Sequence, residues 1–235
     1  MKSQNSTHKL PFSARCTIGA FAIAGIVAVV GAVAYQPAFA SGRIFLLLAI
    51  AACAARAKVT LYRGTSLSFL TAVVLLAVLQ DGPAVAALLA ICGVTIQAIH
   101  PHKKIVVHQL IFNAGMIALT STGTWWIHHV LIGSQTASTL SAETIATLLA
   151  SFTYFLGNSL SVALIVALTK GMSLFHIWSQ HFLYSAPSFL IAGLLSLGLM
   201  ATTAGPGLLV LGALTGVVAL AYYCSVRLTQ QPAAQ

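Results

Sequence analysis

Long apolar runs broken by short polar connections fill this chain almost from end to end. Eight are read, at about residues 18–35, 43–55, 66–80, 83–99, 107–132, 142–169, 185–200 and 206–226. A hydrocarbon core of about 30 Å needs about 20 apolar residues in helical form, so the pattern predicts an all-α, polytopic transmembrane bundle of about eight spans. The second run is short for a full crossing, so tilt, capping by protein or re-entry is expected of it. Turn chemistry punctuates the runs. Gln80-Asp81-Gly82-Pro83 reads as a turn that starts a helix with proline in its first position, and Gly205-Pro206-Gly207 does the same before the last run.

Two segments break this pattern. Residues 58–68 (KVTLYRGTSLS) are β-branched and polar, and read as extended chain packed at one membrane face. Residues 173–184 (SLFHIWSQHFLY) place Leu174, Ile177, Trp178 and Phe182 on one helical stripe, with His176 and Gln180 elsewhere. That predicts an amphipathic helix in the headgroup region before the chain dives again near Ser185. The whole chain reads as one integral membrane domain. Residues 1–16 form a basic amino-terminal segment, 17–226 the bundle and 227–235 a short tail.

Charge adds an orientation. The chain has eleven Lys and Arg and two acids among its 235 residues, is 59% hydrophobic and carries a net charge of +9. Lys2, Lys9, Arg15, Arg56, Lys58, Arg63, Lys103, Lys104, Lys170 and Arg227 all fall on one side of an eight-span arrangement. Arg43 is the one exception, and Asp81 and Glu143 share its side. Cytoplasmic loops carry the Lys/Arg excess, so both termini are expected in the cytoplasm. Scattered loop charge of this kind is topogenic, and no nucleic-acid partner is expected. The basic loops are expected to meet membrane lipids.

Processing and redox chemistry change little. A basic start, an apolar run and Ala38-Phe39-Ala40 resemble a secretory signal, but the run is long for one, which favours a retained helix. Cleavage after Ala40 would leave the remaining spans in the same orientation. Cys16, Cys53, Cys92 and Cys224 are spread singly, with no zinc-like spacing and no disulfide framework expected.

Candidate chemistry is sparse. No Asp, Glu, Lys or Arg lies in the middle of a run, whereas intramembrane ionisable groups normally mark proton relays and coupling sites. The histidines sit at run ends, so mid-membrane serines have no base to activate them. No catalytic residue, cofactor or metal site is expected. His100 and His102 beside Lys103 and Lys104 read as a basic loop on anionic headgroups. His128 and His129 are neighbours pointing about 100° apart on a helix and are poorly placed to share a metal.

Neutral polar residues instead align along two runs. Gln109, Asn113, Thr120 and Thr124 share one face of the fifth run, and Ser151, Tyr154, Asn158 and Ser161 one face of the sixth. Polar groups facing lipid are costly, so both stripes are expected inside the bundle. They either hydrogen-bond to each other and join the helices, or line a ligand cavity. The candidate ligand-binding residues are Asn113, Thr120, Thr124, Tyr154, Asn158 and Ser161.

From about residue 44 to 206, the order of features resembles the multi-helix membrane-sensing regions of bacterial signalling proteins, found before diguanylate cyclase, HD-type phosphodiesterase and histidine kinase domains. KVTLYRGTSLSFLTAVVLLAVL, DGPAVAALLAICGVTIQAI, HQLIFNAGMIAL, YFLGNSLSVALIVAL and LFHIWSQHFLYSAPSFLIAG carry the likeness. Its specific points are Gly82-Pro83, Phe112-Asn113, Asn158 and Pro187. It implies a bacterial inner-membrane sensory module. The 235 residues contain no output domain, so the resemblance implies a stand-alone sensing module, or one whose output partner is a separate cytoplasmic signalling chain. A weaker resemblance, to the substrate-binding S-components of energy-coupling-factor vitamin transporters, rests on the Gly-Pro helix start and the Ala/Gly-rich helix after it. It implies a transport-class binding subunit working with a separate ATPase chain. The expected function is a non-catalytic sensory or regulatory module binding a small or lipophilic ligand. A transporter binding subunit and a purely structural membrane subunit are the alternatives.

Overall fold

The computed structural model describes residues 10–36, 42–56, 58–60, 66–99, 105–133 and 139–203. The eighth apolar run with the Gly205-Pro206-Gly207 turn before it, the His100–Lys104 loop, Ala40 and Cys224 lie outside the described residues.

The described chain is a helical bundle. Its helices are α1 (Phe12–Tyr35), α2 (Gly42–Arg56), α3 (Phe69–Gln80), α4 (Pro83–Ala98), α5 (Val107–Gly133), α6 (Leu140–Lys170), α7 (Leu174–His181) and α8 (Ala186–Thr203), with a 3-10 turn at Leu183–Ser185 before α8. The extended reading of residues 58–68 is met by two short strands, β1 (Lys58–Thr60) and β2 (Ser66–Ser68). They pair antiparallel with Val59 opposite Leu67.

Contacts at the helix ends set the direction of each helix. Tyr35 at the end of α1 packs on Trp125 near the end of α5, with ring centroids 5.0 Å apart. Gln36 donates to the Asp81 carbonyl at 2.6 Å, and Arg43 at the start of α2 pairs with Asp81 between α3 and α4. Gln80 donates to the Met200 carbonyl near the end of α8. His128, late in α5, faces Glu143, early in α6. These contacts gather the ends of α1, α3, α5 and α8 with the starts of α2, α4 and α6, so successive long helices run antiparallel. Both acids lie at this end, hereafter the acidic end. Arg15, Arg56, Lys58 and Lys170 belong to the opposite helix ends, hereafter the basic end.

Among the described residues, three segments are long and apolar enough to cross a membrane: Phe12–Tyr35, Leu140–Lys170 and Leu174–Met200, while Phe69–Gln80 and Pro83–Ala98 are shorter apolar helices. Eight full-length spans are therefore met only in part. The third begins three residues later than expected because residues 66–68 are strand. Its 12 residues reach about 18 Å at 1.5 Å per residue. Leu70 and every residue from Ala72 to Val78 are buried, which explains a helix apolar on all sides: α3 is wrapped by other helices. A helix shielded by protein need not match the lipid thickness.

Glycine and proline act at defined points. Gly82 adopts φ +88° ahead of α4, whose first residue is Pro83, as the turn motif predicts. Gly171 ends α6 at φ +65°, and the Met172 amide reaches back to the Ala167 carbonyl. Where α1 crosses α5, a Cβ built on Gly25 would fall into the backbone of Gly115, and one on Gly115 into the backbone of Phe21. The two helix backbones are in contact there.

The amphipathic helix is present but placed differently. Ile177, Trp178 and Phe182 pack on Ala163, Val166 and Ala167 of α6. The Trp178 indole donates to Ser159 Oγ at 2.9 Å, and Ser159 lies about 16 Å along α6 from its end at Lys170. The stripe thus faces a neighbouring helix as the first part of the Leu174–Met200 segment. Leu174 and Phe175 remain exposed.

Candidate functional site

The aligned polar residues divide by depth. Thr120 and Thr124 of α5, and Ser151 and Tyr154 of α6, are buried. Asn113, Asn158 and Ser161 are half-buried, and Gln109 is exposed. The hydroxyls do not bridge the two helices. Thr124 donates to the Thr120 carbonyl at 2.8 Å and Ser151 to the Thr147 carbonyl at 2.7 Å, each one turn back on its own helix. Thr120 Oγ1 has Met116 Sδ at 3.8 Å. A hydroxyl one turn along from a helix carbonyl satisfies itself locally without a cross-helix partner. Thr120 instead packs against Gly157, where an added Cβ would come within 2.7 Å of its methyl. Tyr154 sets its ring beside Phe189 of α8, with centroids 6.1 Å apart.

The helix-joining polar contacts lie elsewhere. Ser196 of α8 donates to the Ala72 carbonyl of α3 at 2.8 Å, and Trp178 bonds Ser159. Neither residue belongs to a polar stripe. A lone serine in an apolar run carries no periodic signal, so only the packing of α8 on α3 identifies Ser196.

Of the six candidate residues, Asn113 lines a cavity of about 240 Å³ near the basic end of α1, α5 and α6. His108, Gln109, Asn113 and Thr169 supply hydrogen-bonding groups there. Ile18, Phe112, Val162 and Ile165 supply apolar wall. Such a lining suits a small amphiphile, with a few polar groups to orient it and apolar surface to hold its body. Asn158 and Ser161 are not among its lining residues.

Two further clefts flank α1 and are almost wholly apolar. One, of about 330 Å³, runs along the Gly25–Gly115 crossing. The other, of about 530 Å³, lies nearer the acidic end between Val27, Gly31, Tyr35, Trp125 and Trp126. Their surroundings are greasy: Ile23, Ile26, Val27 and Val30 of α1 are all exposed.

The acidic end carries the ionic groups. Arg43 Nε lies 2.9 Å from Asp81 Oδ1, Arg43 Nη2 donates to Asp81 Oδ2 at 3.1 Å, and the same guanidinium donates to Gln80 Oε1. Burial in the turn pushes the Asp81 carboxyl up from its ordinary value, against the downward pull of Arg43. His129 stacks on Trp125 at 4.7 Å, with Tyr35 against both rings. His128 points instead toward α6, its Nε2 3.8 Å from Glu143 Oε2. Comparison of the chain with protein-family models, curated proteins and solved structures finds no match.

Proposed function

We propose that this chain is a multi-pass protein of the bacterial inner membrane and a non-catalytic sensory or regulatory module that binds a small lipophilic or amphiphilic ligand. In this reading the basic end faces the cytoplasm with both termini, and the acidic end faces outward. The antiparallel order of the described helices and the segregation of Arg15, Arg56, Lys58 and Lys170 from the acids support that orientation.

The observation that carries the ligand reading is the 240 Å³ cavity, where Asn113 meets a mixed polar and apolar lining. The buried Thr120, Thr124 and Ser151 hydroxyls already have partners on their own helices, and of the six candidates Asn113 is the one that lines the cavity. A module of this kind works through a separate cytoplasmic chain, in keeping with the resemblance to sensory regions.

Native mass spectrometry of the detergent-purified protein, alongside Asn113→Leu, tests the proposal. A small molecule retained by the parent protein and lost from a folded variant is expected. Two folded proteins that are both empty would overturn the ligand reading and leave a structural subunit.

A further inference from the structure

The polar atoms buried between α5 and α6 at the acidic end do not account for themselves. His128 is 7% exposed and its Nε2 is fully covered, as are Glu143 Oε2 and, one turn further along α6, Thr147 Oγ1. None of the three makes a hydrogen bond, and His128 Nε2 and Glu143 Oε2 stand 3.8 Å apart, beyond hydrogen-bond distance. A buried polar atom left without a partner is costly, and a carboxylate oxygen more so. The separation is the one expected when two acceptors face each other, an imidazole nitrogen without its proton and a carboxylate oxygen.

We propose that His128 and Glu143 form a proton-binding site through which this helix pair responds to the acidity of the compartment at the acidic end. The proton is taken from water there and bonds to His128 Nε2, turning the ring into an imidazolium that donates to Glu143 Oε2. The charge-assisted bond contracts the gap toward about 2.7–2.9 Å and draws the ends of α5 and α6 together. Glu143 is the path to solvent, its side chain 19% exposed against 9% for His128. The opposite ends of the same two helices carry His108, Asn113 and Thr169 of the 240 Å³ cavity. The inference does not rest on a ligand occupying that cavity.

Few other groups compete for the proton. From α6 only Glu143 faces the ring with a charge, and Thr147 is neutral. On α5 the adjacent His129, stacked on Trp125 and met by Tyr35 of α1, is a second titratable group beside the ring, and its charge when protonated works against the imidazolium of His128. Residues 134–138 and the whole of α8 contain no ionisable side chain. The Arg43–Asp81 pair at the same end is bonded within itself.

The test is a titration of the full-length protein in phosphatidylethanolamine/phosphatidylglycerol nanodiscs, with ¹⁵N-labelled histidine and the His128 signal assigned by its loss in His128→Asn. Glu143→Gln is expected to lower the proton affinity of His128 by about tenfold or more, since an opposite charge this close favours the imidazolium. An unchanged His128 midpoint overturns the proposal. A second measurement needs no variant. Glu143 is the only glutamate in the chain, so ¹³C-glutamate labelling reads its carboxyl alone. An inflection in that signal at the pH where His128 titrates is expected, and a single independent carboxylate transition overturns the proposal.

Discussion

Arg43, the one basic residue that breaks the charge alternation of the chain, is held by Asp81 at 2.9 Å across the acidic end of the bundle. The exception is thereby accounted for: a cation at the wrong end is neutralised by one of only two acids. Asp81 is 12% exposed and Arg43 35% exposed, so the pair is partly shielded and worth more than a surface ion pair. Arg43→Leu leaves Asp81 and Gln80 without their cation. It should lower unfolding stability in detergent by about 1–3 kcal/mol. Arg43→Leu combined with Asp81→Asn should recover part of that loss; a fully additive double variant would show that the two side chains do not interact.

The same carboxyl sets a pH dependence opposite to the usual one. Burial is the larger influence on Asp81 and raises its proton affinity in the folded protein above the unfolded value of 3.8. The folded state therefore binds the proton more tightly. Stability contributed by this group is present in full below pH 3.8, and is lost as pH rises through the raised folded value. Chemical unfolding from pH 7 downward should show the parent protein gaining a stabilisation on acidification that Asp81→Asn lacks. Equal slopes in the two proteins would place the Asp81 carboxyl in solvent.

At the α1–α5 crossing the backbones leave no room for a side chain, so Gly25→Val and Gly115→Val should force the helices apart. Overpacking of this kind costs about 1–3 kcal/mol. Gly19→Val, in open space on α1, is the control and should be near neutral. Proteolysis or cysteine cross-linking between α1 and α5 reads the separation, and equal behaviour of the three variants would contradict the close approach.

The Ser196 hydroxyl bonds both the Ala72 carbonyl of α3 and the Ala192 carbonyl of its own helix. Ser196→Ala should cost only about 0.6–1.7 kcal/mol, the range found for hydrogen bonds between membrane helices. Trp178→Phe removes the bond to Ser159 but keeps an aromatic ring on α6, and should cost about 1 kcal/mol. Trp178→Ala should cost about 3–5 kcal/mol because the packing on Ala163 is lost as well. Unfolding midpoints in mixed micelles rank the three variants, and the reverse order would show that α7 does not pack on α6.

Reporter fusions address the proposed sidedness. A fusion at Lys103 should report the cytoplasm and one at Glu143 the outer compartment. The opposite pattern would invert the orientation and place His128 and Glu143 on the inner side.

How far the sequence carried the site differs from residue to residue. The Gly82-Pro83 helix start, the extended chain at residues 58–68 and the break before Ser185 were readable because turn chemistry is local. The inward face of Thr120, Thr124, Ser151 and Tyr154 was readable because helical periodicity puts them on one side. What those hydroxyls bond to was not, since an own-helix carbonyl and a partner helix both lie within reach of a buried threonine. Ser196 and Ser159 gave no periodic signal at all. His128 and His129 read alike as neighbours, yet one stacks on Trp125 and the other faces Glu143.

Hydrophobicity and the placement of charge, both sums over the chain, determined that this protein is a bundle of apolar helices with its acids and, among the described residues, four of the five Lys and Arg at opposite ends. They depend only on what each segment contains, so the linear sequence suffices for them. Which helices touch was decided by the tertiary structure alone. The pairing of Arg43 with Asp81, the backbone contact of Gly25 with Gly115, the seating of α7 on α6 and the burial of His128 against Glu143 join residues distant in the chain. Their energies come from shape and desolvation at the point of contact, which no segment carries by itself.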